Sequence, residues 1–145
     1  MKRLLITVAV AVLCSACQTA PTKAQQAEMQ AAAAANEAKA EIAKAAAANY
    51  AADSTLVPFE KMSGKLTPVG EAQLDLLLPS LKSAKSIIIR GHCYRNDIGN
   101  AKAAAQARAA AVRQYLLMAD IPSSKITVRF DTERPLHAVR LLVSN

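Results

Sequence analysis

The stretch Ser86–Met118, SIIIRGHCYRNDIGNAKAAAQARAAAVRQYLLM, constrains the fold more than any other part of the chain. Ile87, Ile88 and Ile89 make a short β-branched run closed by Gly91, which reads as a strand buried on both faces. Beyond a polar loop, Ala105, Ala109, Val112, Leu116 and Ala119 recur at spacings of four and three, so they share one helical stripe. A strand, a loop and an amphipathic helix make half of a crossover unit.

The segments on either side extend that unit. Thr55–Phe59 has the content of a first strand. LTPVGEAQLDLLLPSLKSA follows, with Thr67 as helix N-cap, Pro68 at the first helical position and Leu74, Leu77, Leu78 and Leu81 as a core stripe. Pro79 removes a helical hydrogen bond, so a kink or early end is expected near it. Ile121–Ser124 is a turn. Lys125–Phe130 alternates as a half-buried strand, and Ala138–Val143 is apolar on both faces, as a central strand requires. The order is strand, helix, strand, helix, strand, strand.

In front stand two segments of another kind. Met1–Ala16 has Lys2 and Arg3, the apolar run Leu4–Leu13 and then small residues, the layout of a secretory signal, too short to be kept as a membrane span. Ser15-Ala16-Cys17 fits a lipoprotein signal in which Cys17 takes the lipid; the alternative is cleavage near Ala20, which would leave Pro21 after the cut. Residues 17–54 are then a short tether and an alanine-dominated segment. Ala24–Ala52 contains no Gly or Pro and predicts one helix about 40 Å long, a semi-rigid spacer with little surface to bury. Cys93 is left as a single thiol without an internal disulfide partner.

Charge narrows the range of partners. The 145 residues carry a formal +7, of which residues 55–145 hold +6, with thirteen basic and seven acidic side chains. That suits an anionic partner. No interleaved aromatics or nucleic-acid motif accompany the charge, so DNA and RNA are not expected partners. No paired carboxylates, catalytic triad or metal-ligand spacing appears; the chain reads as a non-enzyme with no cofactor and no metal site. Residues His92 and Cys93 point to opposite faces of their strand and cannot form a base and nucleophile pair.

Residues 55–145 resemble the OmpA-like domain, a periplasmic peptidoglycan-binding family, on three features: Gly91-His92 at a strand end, Arg108-Ala109 on the following helix, and Leu66-Thr67-Pro68-x-Gly70 opening the first helix. The resemblance implies an α+β two-layer sandwich, with helices on one face of a mixed four-stranded sheet and a long alanine-rich helix ahead of it. It also implies a clamp on the diaminopimelate of the peptide stem, made in the family by an Asp after Gly-His-Thr and an Arg on the second helix. Arg108 maps onto that Arg. Cys93-Tyr94 replaces Thr-Asp, leaving Asp97 as the nearest acid in the same loop, and Asn100 falls one position from the family's Asn. Arg108, Asp97, Tyr94 and Asn100 are therefore the candidate peptidoglycan-binding residues, with an ion pair between Arg108 and Asp97 as the structural alternative. The family's Asn-Arg-Arg before the last strand is Leu136-His137-Ala138 here.

Such a chain is expected to be an outer-membrane lipoprotein, anchored at Cys17, whose domain faces the periplasm and associates non-covalently with peptidoglycan. Alternatively, it is a structural subunit of an envelope-spanning secretion or conjugation apparatus, with the domain contacting proteins of that machinery.

Overall fold

The structure, a computed structural model, describes residues 22–144. The signal segment and Cys17 lie outside the described residues. Helix α1 spans Lys23–Ala52, and the residues from Ala35 onward form one compact unit. Along α1 the side chains up to Glu41 are exposed, as a helix with so little large apolar surface requires. The last turns differ: Ala46 is buried and Ile42 and Asn49 are half-buried, at spacings of four and three on one stripe. Asn49 and Ala52 line one small hollow with Asp53, Leu56 and Pro58 of the first strand.

The elements that follow are β1 (Leu56–Pro58), α2 (Pro68–Ser83), β2 (Ser86–His92), α3 (Ala101–Met118), β3 (Ile126–Asp131) and β4 (Ala138–Ser144). They give the mixed four-stranded sheet that the resemblance implies, in the order β1-β4-β2-β3, with β2 antiparallel to β4 and parallel to β3. Because β2 is flanked on both sides, Ile87 and Ile89 are fully buried. They pack with Leu74, Leu77 and Leu81 of α2 and Ala109, Val112 and Leu116 of α3 in one core. Buried side chains of this size each contribute roughly 1.5–3 kcal/mol.

Local chemistry explains the boundaries. Thr67 has extended backbone, and its hydroxyl accepts from the Gly70 N–H at 3.1 Å, capping α2. The helix runs through Pro79 to Ser83 instead of ending early. Pro79 and Asp75 are both exposed, so the carbonyl that loses its donor has access to water. Tyr115 Oη donates to Asp75 at 2.6 Å and ties α3 to α2; burial and that carboxylate push the phenol up from its ordinary value. Asp120, with φ of 65°, turns the chain out of α3 toward β3.

Two expectations need correction. Strand β3 does not have a half-buried alternation, since Val128 and Phe130 are exposed. It is an edge strand, and although α3 packs beside it, with Lys102 Nζ 5.3 Å from the centre of the Phe130 ring, Val128 and Phe130 stay open to solvent. In addition, Ala119 is not part of the buried stripe; it is the C-cap of α3.

Candidate functional site

The close approach of α3 to β2 sets the geometry of the site. A Cβ on Gly91 would lie 2.0 Å from the Ala105 carbonyl oxygen, so only glycine lets the helix backbone come this near. That contact holds Arg108, one turn further along α3, over the ends of β2 and of the loop after β1.

Arg108 is fully buried. Its Nε donates to Ser63 O at 3.0 Å, Nη2 to Glu60 O at 3.0 Å and Lys61 O at 2.6 Å, and Nη1 to His92 O at 2.7 Å and His137 Nδ1 at 3.2 Å. Guanidinium has five N–H donors, and all five are engaged within the protein. Four carbonyls from two separate segments thereby converge on one cation. Gly64 belongs to the same loop, and a Cβ there would lie 2.9 Å from Ala107 Cβ.

His137 continues the network outward. Its Nδ1 accepts from Arg108, so the proton sits on Nε2, which donates to Asp97 Oδ2 at 2.9 Å. The other oxygen of Asp97, Oδ1, pairs with Lys61 Nζ at 2.9 Å. Hydrogen bonds from Lys61 and His137 hold the Asp97 carboxyl below its ordinary range, so it stays ionised. Lys61 is 55% exposed and Asp97 31%, which makes this opposite-charge pair the surface end of a chain that begins at buried Arg108.

The other candidates are placed differently. Asn100 is the N-cap of α3, its side chain accepting from the Ala103 N–H at 3.2 Å. Tyr94 is half-buried, and its hydroxyl accepts from Asn96 Nδ2 at 2.8 Å. Among the described residues neither side chain bonds to Arg108 or Asp97; Tyr94 meets Asp97 only through its backbone carbonyl, which accepts the Asp97 N–H at 3.1 Å. Cys93 is buried as a free thiol, packed with Ala101 and Ala105.

Sequence reasoning missed two members of the cluster. Lys61 stands in an irregular loop that carries no motif. His137 was visible only as the residue occupying the place of the family's Asn-Arg-Arg before the last strand. Gln73 was also missed: fully buried on α2, it donates from Nε2 to Leu56 O at 2.9 Å and fixes β1.

His92 closes the end of β2. It is fully buried, its Nδ1 is 3.5 Å from Asp131 Oδ2, and neither ring nitrogen has a hydrogen-bond partner among the described residues. Burial holds its pKa below the ordinary histidine value, with the Asp131 carboxylate opposing that shift.

A family model described as the OmpA family matches residues 58–138. Among solved structures, the chain is similar to the OmpA-like domain of FopA1 from Francisella tularensis subsp. tularensis SCHU S4. That similarity has 16% sequence identity and a TM-score of 0.47, covering 61% of this chain and 70% of that one. A comparison with curated proteins returns no match.

Proposed function

The chain belongs to the OmpA family, and on that premise we propose that it is an outer-membrane lipoprotein, anchored at Cys17, whose periplasmic domain associates non-covalently with peptidoglycan. One observation carries the reading. At the end of β2 where the family's ligand pair falls, Asp97 and Lys61 present a carboxylate and an ammonium side by side at the surface, braced from below by His137 and Arg108. Diaminopimelate carries both charges. Its ammonium replaces Lys61 on Asp97 while its carboxylate takes Lys61, so one exposed ion pair is exchanged for two. Exposed pairs are each worth about 0–1 kcal/mol, which makes the association weak. Arg108 positions the pair and does not touch the ligand.

A sacculus sedimentation assay tests this. Wild-type chain should co-sediment with diaminopimelate-containing sacculi, and Asp97→Asn and Lys61→Met should each reduce the bound fraction several-fold. Absence of wild-type sedimentation would sink the proposal. The anchor has its own test: incorporation of labelled palmitate should disappear in Cys17→Ser.

The saturation of Arg108 favours a second reading. With every donor used internally, the site also works as a lock that stiffens the loop end of the domain. That suits a protein-contact subunit of an envelope-spanning secretion or conjugation apparatus. On this reading, sacculi fail to retain the wild type, and Tyr94→Asp, which restores the family's acid, creates binding.

A further inference from the structure

Three arginines form a cross-strand row on the sheet face away from α2 and α3. Arg129 of β3 lies opposite Arg90 of β2, and Arg90 lies opposite Arg140 of β4. The side of that row follows from Gly91, the next residue along β2, whose missing Cβ is what admits α3. Residues directly opposed in neighbouring strands have Cβ atoms about 5 Å apart, and like charges placed so repel. Arg140 has a counter-charge in Asp53, at 3.2 Å from Nη2. Among the described residues, Arg90 and Arg129 form no ion pair.

Both of these arginines line an open hollow of about 410 Å³ with Phe130, Asp131, Thr132 and Glu133. Asp131 is already engaged. Its Oδ2 is 3.5 Å from both Arg134 and His92, and its Oδ1 accepts the Glu133 N–H at 2.9 Å, which sets the turn carrying Glu133. The Glu133 carboxylate forms no ion pair among the described residues. The hollow therefore joins two uncompensated cations to one uncompensated anion. It shares no residue with the Lys61–Asp97–His137–Arg108 chain.

A simple anion would satisfy the arginines and be repelled by Glu133, whereas a zwitterion satisfies both. We propose that this hollow binds an aminoethyl phosphate, with the phosphate on Arg90 and Arg129 and the ammonium on Glu133. A guanidinium fork takes two oxygens of either a phosphate or a carboxylate, but a phosphate monoester has three terminal oxygens and up to two negative charges, so it can meet two adjacent arginines where a carboxylate is filled by one. Spacing favours the same group. The arginine row and the acidic turn are separated by at least the two residues from Arg129 to Asp131, about 6.6 Å of strand, which a zwitterion with its charges one carbon apart spans poorly. The ligand is either free phosphoethanolamine or the headgroup of phosphatidylethanolamine, since both carry the recognised chemistry.

Calorimetric titration of the full-length chain tests the proposal, with O-phosphoethanolamine, inorganic phosphate, ethanolamine and glycine as probes. Phosphoethanolamine should bind at least ten-fold more tightly than inorganic phosphate, and ethanolamine and glycine should not saturate. Glu133→Gln is the deciding variant, because Glu133 is exposed and its loss leaves the fold intact. It should weaken phosphoethanolamine at least five-fold and leave phosphate unchanged or tighter, while Arg129→Gln weakens both. Equal tightening of both probes by Glu133→Gln would reduce the hollow to an anion site and overturn the proposal. Saturable glycine binding of similar strength, or no binding of phosphoethanolamine, would overturn it as well. The source is then read from vesicles in a Cys17→Ser background. Retention on phosphatidylethanolamine but not on phosphatidylcholine, lost with Glu133→Gln, identifies the lipid headgroup; binding of the soluble probe alone identifies the free compound.

Discussion

Arg108 and Asp97 are joined through a third residue: His137 accepts from Arg108 on Nδ1 at 3.2 Å and donates to Asp97 from Nε2 at 2.9 Å. The imidazole carries the polarity of a buried guanidinium to a surface carboxylate without placing the two charges in contact. Removing either inner member should therefore be felt as lost stability. Arg108→Lys offers three donors where five are used and leaves buried carbonyls unmet, so it should destabilise by roughly 3–5 kcal/mol. His137→Ala should cost about 1–3 kcal/mol and Asp97→Ala less, because Asp97 is at the surface. Urea unfolding with an unchanged slope checks all three. An Arg108→Lys variant as stable as wild type would contradict the lock.

Gly91→Ala should be among the most damaging single-methyl changes in the domain. The new Cβ would meet a backbone oxygen of α3, which cannot swing aside as a flexible side chain can. Relief requires α3 to lift from β2, and Arg108 would then lose its alignment with the loop carbonyls. We expect a loss of about 3 kcal/mol or more in chemical denaturation.

Acidification should weaken the fold first through His92. Its folded pKa lies below the unfolded value of 6.5, so the unfolded chain binds the proton more readily. Stability from the neutral ring is fully present above about pH 6.5 and is lost as pH falls below that value. Asp53 and Asp97, whose folded pKa values lie below the model-peptide 3.8, lose their contributions only at lower pH. The melting temperature should fall between pH 7.5 and pH 5 in the wild type, and fall less over that range in His92→Phe.

Cys93 should react slowly. It is fully buried against Ala101 and Ala105 at the start of α3, so a bulky thiol reagent needs local opening to reach it. Native-state labelling should take far longer than labelling in urea. Rapid stoichiometric modification of the folded chain would show that the α3 start is open.

The legible parts of this chain were those where the period of the sequence coincides with burial. Leu74, Leu77 and Leu81, and Ala105, Ala109, Val112 and Leu116, lie in the core because helical spacing leaves them no other face. Thr67 was readable as a cap because its hydroxyl needs only local partners. Strand β3 was misread because alternation marks which side chains share a face, while exposure depends on the strand's place in the sheet, and β3 lies at its edge. The site was harder still. Arg108 could be named from its neighbours in sequence, but its partners Glu60, Lys61 and Ser63 precede it by more than forty residues and contribute only backbone oxygens, on which side-chain identity leaves no trace. His137 carried no pattern of its own, since a single histidine gains meaning only from what the fold sets on either side of its ring.

Strand β4 comes after every other strand in the chain yet lies between β1 and β2, with registers from Leu56↔Arg140 to Ser86↔Ser144. β1 has no other neighbour in the sheet. Until residues 138–144 have emerged, three strands can form only a two-stranded β2–β3 pair and an orphan, and an isolated pair is marginal in water. Assembly is therefore timed by the segment made after the other strands, through β1–β4 contacts that close loops of eighty residues or more and so fold slowly. If the chain is exported as proposed above, that delay keeps it pliable for as long as threading lasts.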